Sequence, residues 1–265
     1  MKRKVLIFLL VIGCSSLGAH EFWMEAKKFT LKKGESFYLN FRIGENFEGE
    51  NWKGSQSSVE SLQLYYGNID DNLQPLIPDS IPGDSLNLQF YDEGTALISY
   101  QSSNKHIEIE PAKFLEYLEE DGLQEAIDYR KEHNETDSVG RENYKRCAKT
   151  LFQIGAGKDD VYKQQCGHDL EFIPLEHPYT RKKDQTLKFS LLYKKKPLPS
   201  AQVKLWHRVN GKSDMKQLFT NEAGVVELPI KLFGEYLLSS VNIKRVDNEE
   251  NADWQSYWAT FTWGY

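Results

Sequence analysis

The sequence has few cysteines, few known catalytic motifs and no excess of positive charge. Only three of its 265 residues are cysteine, so a small disulfide-dense fold is excluded. Its 33 basic residues are outnumbered by 39 acidic ones and form no conspicuous patch, which argues against a nucleic-acid partner. The GxSxG, HExxH, Walker and dinucleotide-binding motifs are all missing, and we therefore predict that the protein is not an enzyme.

An apolar run lies close to the N-terminus. Val5–Ile12 follows three basic residues and precedes small residues that end at Ala19. This order is typical of a secretory signal peptide, and the run is too short for a membrane-spanning helix, which needs about 20 residues. We predict a signal peptide over residues 1–19 and a periplasmic or secreted protein. Cys14 offers an alternative, because the preceding residues resemble a lipobox that would anchor the chain to the cell envelope through a lipid.

Cleavage after Ala19 would make His20 the N-terminal residue. A terminal histidine can offer its α-amine and a ring nitrogen to the same metal ion, and imidazole suits nickel, copper, zinc and iron. His20 is therefore a candidate metal ligand. The alternative is that His20 only happens to follow the cleavage site.

Short strands dominate the rest of the chain. Residues 36–43 alternate with the period of two that a half-buried strand requires, and several similar segments follow up to residue 100. From about residue 179 the strands recur at the spacing of an immunoglobulin-like or transthyretin-like sandwich. The predicted fold is mainly β, with an N-terminal β-sandwich in residues 20–178 and a C-terminal immunoglobulin-like or transthyretin-like sandwich in residues 179–265.

A helical insert is predicted within the N-terminal domain, at about residues 111–155. Pro111 suits a first helical turn, and apolar residues from Phe114 to Ile127 follow helical spacing. Glu142–Ile154 reads as a second amphipathic helix that ends at a glycine-containing segment.

Cys147 and Cys166 are the two cysteines outside the predicted signal peptide. An even number of cysteines in an oxidising compartment favours a disulfide between them. The alternative is a metal site with two thiolates, although no CxxC motif supports it.

Several short motifs occur together along nearly the whole chain: Ala19–Trp23, Arg42–Phe47, Arg141–Lys149, His168–Leu175, Lys196–Pro199, Thr220–Gly224 and Ala252–Ala259. In this combination the chain resembles the DUF4198-like family, a domain of unknown function often described as the periplasmic component of cobalt or nickel transport systems. The resemblance implies metal uptake and a membrane transport complex as partner. It also places His20 and His168 at ligand positions, with Glu171 as a lesser candidate. On one strand, His168 and Glu171 would face opposite sides, so they would share an ion only across a bend.

Two functions follow as hypotheses. The first is a non-enzymatic metal-binding protein accessory to uptake of nickel or cobalt, with copper as an alternative ion. The second is a structural or interaction module of the cell envelope that binds no metal and is lipid-anchored through Cys14. A copper oxidase that uses His20 is a third and weaker hypothesis. The oligomeric state is left open.

Overall fold

The computed structural model describes residues 20–79, 82–183, 185–247 and 249–265. The predicted signal peptide and Cys14 lie outside these described residues. The strands, in chain order, are β1 (Glu21–Ala26), β2 (Thr30–Leu31), β3 (Ser36–Glu45), β4 (Glu48–Asn51), β5 (Val59–Tyr66), β6 (Ile69–Asn72), β7 (Ser85–Gln89), β8 (Gly94–Ser102), β9 (Lys105–Ile109), β10 (Gly140–Ile154), β11 (Leu170–Pro174), β12 (Thr186–Tyr193), β13 (Lys196–Pro197), β14 (Gln202–Val209), β15 (Lys212–Phe219), β16 (Val225–Pro229), β17 (Glu235–Arg245) and β18 (Trp254–Gly264). Helices α1 (Pro111–Glu120) and α2 (Gln124–Glu132) lie between β9 and β10. The prediction of a mainly β fold is confirmed.

A ten-stranded sheet forms the centre of the molecule. Its strand order is β15-β14-β17-β18-β10-β8-β5-β6, and β2 and β9 also pair with β10. The two halves of this central sheet meet where β10 and β18 run parallel, from Glu142 opposite Trp254 to Thr150 opposite Thr262. Backbone hydrogen bonds therefore cross the predicted domain boundary at residue 178, and the division into two domains stays a prediction.

A smaller sheet packs on each face of the central sheet. The N-terminal sheet consists of β1, β3, β4 and β7, and the C-terminal sheet consists of β11, β12, β13 and β16. Successive side chains of a strand point to opposite faces, and β8 follows this rule. Ile98 packs in the core beneath the N-terminal sheet, whereas its neighbour Leu97 packs in the core beneath the C-terminal sheet. The result is a three-layered arrangement with two apolar cores.

The second predicted helix is wrong, because residues 140–154 form strand β10. Ala148 and Phe152 face the core beneath the N-terminal sheet, and Leu151 faces the opposite core. The C-terminal half of β10 carries apolar residues on both faces and therefore lacks the alternation of a half-buried strand, so periodicity alone cannot distinguish it from a helix. The helical insert is therefore limited to α1 and α2.

Helices α1 and α2 cover the end of the central sheet beside the N-terminal sheet. Phe114 and Ile127 are buried against Trp254 and Trp258 of β18 in a separate apolar cluster. Tyr117 of α1 stacks on Trp258, with 5.3 Å between the ring centroids. None of the helices in the described part of the chain combines the length and hydropathy that crossing a bilayer requires.

Candidate metal site at His20

A tight hairpin turn brings Glu45 beside His20. Strands β3 and β4 are joined by Asn46 and Phe47, whose φ angles are 58° and 60°. Two successive positive φ angles are typical of a two-residue turn of type I′, which fits the right-handed twist of paired strands. In the β1–β3 register Glu21 lies opposite Gly44, so the next pair along the strands is His20 and Glu45.

The strained Phe47 is held in place by its ring. A bulky residue with positive φ is unfavourable, at a cost of roughly 1–2 kcal/mol. The Phe47 ring is buried and lies 5.8 Å from the ring of Trp23, and the guanidinium of Arg208 lies 4.1 Å from its centroid. These contacts offset the backbone strain and fix the turn that carries Glu45.

The His20 ring meets a carboxylate without forming a hydrogen bond. His20 Nδ1 lies 3.1 Å from Glu45 Oε1, yet Nδ1 is buried and has no hydrogen-bond partner. The 3.1 Å distance is short enough for a hydrogen bond, so we attribute its absence to an unfavourable angle between His20 Nδ1 and the Glu45 carboxylate. Two ligands with bond lengths of about 2.1 Å to one ion lie roughly 3.0–3.4 Å apart. The spacing between Nδ1 and Oε1 therefore fits two donors to a single metal ion.

A cleft with a strongly acidic lining begins at Glu45. This acidic cleft has a volume of about 490 Å³ and lies between the β3–β4 turn, α1 and strands β14 and β15. Its lining contains two lysines and five carboxyl groups, together with polar and apolar residues: Glu21, Glu45, Asn46, Lys113, Glu116, Tyr117, Glu120, Asp121, Lys204, Trp206, Met215 and Trp258. This excess of negative charge favours a cation as the occupant of the cleft.

Glu21 is the most deeply buried carboxyl group of the acidic cleft. The Ser239 hydroxyl donates to Glu21 Oε1, whereas Glu21 Oε2 is buried without a hydrogen-bond partner. Burial raises the pKa of Glu21 to about 7, although the hydrogen bond from Ser239 and the charge of Lys204 oppose this rise. Glu21 is therefore poised to change protonation near neutral pH, and a bound cation would favour its ionised form.

The remaining carboxyl groups converge around Lys204. Lys204 Nζ lies 2.7 Å from Asp121 Oδ1, but burial still raises the pKa of Asp121. Burial also raises the pKa of Glu120, and nearby Asp121, Glu116 and Glu45 add to that rise. The half-buried Lys204 thus only partly neutralises the acidic cleft.

The other two predicted ligands lie in a different environment. Glu171 Oε1 accepts hydrogen bonds from Lys149 Nζ at 2.7 Å and from the Cys166 amide at 2.6 Å, and Oε2 accepts one from the Gly167 amide at 3.1 Å. His168 is buried, its ring nitrogens have no hydrogen-bond partner, and burial lowers its pKa to about 4. Glu171 is thus the counter-ion of Lys149, and His168 is a neutral ring.

The central sheet separates His20 from the other two predicted ligands. The Arg146 side chain donates to the His20 carbonyl at 3.4 Å, whereas the Lys149 side chain reaches Glu171. Residues three apart on β10 point to opposite faces. His20, His168 and Glu171 therefore do not form one site in this structure. Across residues 20–79, 82–183, 185–247 and 249–265, no group of three or more His, Cys, Asp or Glu side chains is arranged to hold a metal ion.

The predicted disulfide is not formed in this structure. Cys147 and Cys166 are free thiols, and their sulfur atoms have separate neighbours: Cys147 lies 3.6 Å from Gln101 Oε1, and Cys166 lies 3.9 Å from the Gln164 carbonyl. Burial raises the pKa of both thiols, that of Cys147 to about 12. The thiolate is the form that binds metal, so a buried Cys147 and a half-buried Cys166 that both hold their protons do not support the two-thiolate alternative either.

Sequence reasoning missed Glu45, Glu21 and Asp121. Glu45 lies in the Arg42–Phe47 motif, which carried the family resemblance but was not recognised as part of a hairpin, although an asparagine in a two-residue turn is a hairpin signal. Recognising that hairpin would not have been sufficient, because only the pairing of β1 with β3 brings residue 45 to residue 20.

Comparisons with known proteins identify a family and no function. The family described as "Domain of unknown function (DUF4198)" matches residues 17–244. No curated protein matches the sequence. The D0-D1 domain of Intimin is 11% identical with a TM-score of 0.23, covering 92% of this chain and 98% of that one. A Salmonella alpha-2-macroglobulin mutant is 10% identical with a TM-score of 0.22, covering 92% of this chain and 15% of that one. A DUF3823 family protein from Bacteroides uniformis is 7% identical with a TM-score of 0.21, covering 91% and 97%.

Proposed function

The chain belongs to the DUF4198 family, and we propose that it is a periplasmic or secreted, non-enzymatic protein that binds a nickel or cobalt ion as an accessory to metal uptake. Copper is the alternative ion. The observation that carries the proposal is the 3.1 Å spacing between Glu45 Oε1 and the buried His20 Nδ1, which has no hydrogen-bond partner, beside the acidic cleft.

Signal-peptide cleavage would complete the donor set. Once the chain begins at His20, its α-amine and Nδ1 can close a six-membered chelate ring on one ion, and Glu45 can supply an oxygen. Amine and imidazole nitrogens suit late divalent ions such as nickel and copper. The amine exists only after cleavage, so before cleavage the side chains of His20 and Glu45 supply only two donors.

The acidic cleft adds an electrostatic contribution. Its five carboxyl groups and two lysines create a negative potential that raises the local concentration of divalent cations. Protons compete with the metal for the imidazole, the amine and the buried Glu21. We therefore expect metal affinity to fall as the solution is made more acidic.

The first experiment tests the terminal amine. Protein that begins at His20 is compared, by calorimetric titration with nickel and cobalt, with protein that carries Gly-Ser-Gly before His20. We expect one ion per chain for the first protein and an affinity lower by about tenfold or more for the second, because one chelating nitrogen is moved away. Equal affinity would reject the chelate that we propose.

The second experiment tests the side chains with a matched control. His20→Ala and Glu45→Gln should weaken binding, whereas His106→Ala should not. His106 is a suitable control because its side chain is 39% exposed, as is that of His20, and it also lies near a carboxylate, with Nε2 3.9 Å from Glu108 Oε1. Similar losses in the His20 and His106 variants would indicate non-specific binding at surface histidines.

Processing and delivery complete the proposal. We infer cleavage after Ala19 from the signal-peptide pattern of residues 1–19, which lie outside the described chain, and transfer of the ion to a membrane transport complex from the family resemblance. Mass spectrometry of the native N-terminus tests the processing step. A chain that starts at His20 supports the metal-binding proposal, whereas a diacylglycerol on Cys14 favours the lipid-anchored envelope module without metal.

A further inference from the structure

A second cleft lies next to His20 and has the opposite charge character. This Arg146 cleft has a volume of about 360 Å³, at the lower end of the range for small-molecule sites. It lies between the β3–β4 hairpin and strands β8, β9 and β10. Its lining contains aromatic rings and three basic side chains: Ile43, Glu50, Asn51, Trp52, Lys53, Gly54, Ser58, Tyr100, Ser102, Lys105, Tyr144 and Arg146.

Arg146 has no carboxylate partner among the residues that the structure describes. Its side chain donates one long hydrogen bond, from Nη2 to the His20 carbonyl at 3.4 Å. The guanidinium otherwise lies over two aromatic rings, 5.3 Å from the centroid of Tyr144 and 5.8 Å from that of Phe22. A half-buried guanidinium with so few hydrogen bonds retains donors for a ligand, since it carries five N–H groups.

Five of the six other arginines in the described chain are paired with acids, and the sixth, Arg130, donates to the carbonyls of Thr136 and Ser138. Ion pairs with Asp or Glu are made by Arg42, Arg141, Arg181, Arg208 and Arg245. Arg245 resembles Arg146 most in its surroundings, because its guanidinium also lies over two rings, at 5.3 Å from Tyr129 and 5.5 Å from Trp254. Arg245 nevertheless has Glu135 and Asp253 as counter-ions. Stacking on aromatic rings therefore does not by itself account for the missing acid at Arg146.

The charges around Arg146 favour an anion. Lys105 Nζ donates to the Ser58 hydroxyl at 3.2 Å and has no acid partner in the described chain. Lys53 pairs with Glu50 at 3.2 Å, but both side chains are more than three-quarters exposed, so that pair contributes little. The lining therefore carries three basic groups and one acidic group.

The walls of the Arg146 cleft favour an apolar body. Trp52 and Tyr100 are both mostly buried and meet edge to face, with 5.9 Å between their centroids. Tyr144, whose ring lies 5.3 Å from the guanidinium, is partly exposed. We propose that the Arg146 cleft binds an organic carboxylate with an aromatic or aliphatic body. The carboxylate pairs with the planar N–H edge of Arg146, and the body packs against Trp52 and Tyr144.

This site is distinct from the proposed metal site. The two share only the neighbourhood of His20, whose carbonyl contacts Arg146 and whose ring contacts Glu45. Binding to the Arg146 cleft is therefore measured on protein freed of metal with a chelating resin, because soluble EDTA is itself an organic carboxylate, and the failure of either proposal then leaves the other unaffected.

The test uses the full chain, freed of metal in this way, and four probes in buffer without a soluble chelator. Phenylacetate and octanoate carry a carboxylate and an apolar body, phenylacetamide has the body without the charge, and inorganic phosphate has the charge without the body. We expect saturable binding of at least one of the two carboxylates by calorimetry and by quenching of tryptophan fluorescence. We expect binding of phenylacetamide and phosphate to be at least tenfold weaker. Absence of carboxylate binding up to roughly 10 mM, or equal binding of phenylacetamide or phosphate, would overturn the proposal.

Variants assign the binding to Arg146. Arg146→Met should reduce carboxylate affinity by about 10- to 100-fold, as expected for loss of a charged hydrogen-bonding partner. Arg146→Lys should retain part of it. Arg245→Met removes a similarly stacked guanidinium outside the cleft and should leave the affinity unchanged. If both Met variants lower the melting temperature but neither changes affinity, Arg146 is only structural. If Arg146→Met does not fold, the comparison of phenylacetate with phenylacetamide on the wild-type chain still tests the proposal.

Discussion

The buried ion pair between Lys149 of the central sheet and Glu171 of the C-terminal sheet provides the sharpest test of how these two sheets are held together. The two side chains are 1% and 4% exposed, and Lys149 Nζ lies 2.7 Å from Glu171 Oε1. Lys149 also donates to the carbonyls of Gln164 at 2.9 Å and Phe172 at 3.2 Å. Replacing Lys149 with methionine keeps the apolar stem and removes the ammonium group. It would leave the Glu171 carboxylate buried with only the backbone donors of Cys166 and Gly167.

The expected loss in the free energy of unfolding depends on whether one member or both members of the buried ion pair are replaced. Removing one member of such a pair typically costs about 3–5 kcal/mol, because the other charge stays buried without compensation. Replacing both members with apolar groups is often nearly neutral. We therefore expect Lys149→Met to lower the free energy of unfolding by about 3–5 kcal/mol, and the double variant Lys149→Met with Glu171→Leu to recover most of this loss.

Urea unfolding at pH 7 of the wild type, the two single variants and the double variant measures the coupling directly. Acid adds a second readout. Burial acts to raise the pKa of Glu171. The charge and hydrogen bond of Lys149, together with His168 and the Cys166 amide, outweigh this effect and hold the pKa below its usual value. The stability due to the pair is therefore present above the unfolded pKa, about 4.3, and is lost as the pH falls through the lower folded value. A loss below about 1 kcal/mol for Lys149→Met at pH 7 would refute this reasoning.

Three further predictions concern other buried residues. Burial raises the pKa of Glu21 to about 7, so the native state holds a proton that the unfolded chain releases near pH 4.5. The contribution of Glu21 to the free energy of unfolding therefore falls as the pH rises from about 4.5 to about 7. Without metal, Glu21→Gln should gain up to about 3 kcal/mol relative to wild type between pH 5 and pH 8 in urea unfolding, and a constant difference would contradict this. Burial lowers the pKa of His168 from 6.5 to about 4, so the free energy of unfolding of the wild type should fall as the pH falls from 6.5 to 4. His168→Gln should lose less over the same range in urea unfolding. Parallel pH profiles of the two proteins would contradict this prediction. Phe114→Ala, in the apolar cluster between α1 and β18, should cost about 3–5 kcal/mol, whereas Phe219→Ala at an exposed site should cost little, and equal melting temperatures would show that α1 is not held by this ring.

The sequence alone determined the class of fold and the position of α1 and α2. Strand periodicity and turn residues are local signals, and so is the helical spacing that begins at Pro111. It also singled out His20, because that residue follows a recognisable cleavage region. Local signals failed at β10, where burial on both faces of the central sheet removes the alternation that marks a strand.

Only the tertiary structure decided which side chains meet. The pairing of β1 with β3 brings Glu45 to His20, and the central sheet places His168 and Glu171 on its opposite face. The same packing gives Lys149 its buried counter-ion and leaves Arg146 without one. The physical reason is that strand register and sheet stacking join residues that are far apart in the sequence, from 22 positions for Lys149 and Glu171 to 126 for His20 and Arg146. No local pattern in the sequence records which partners they will have.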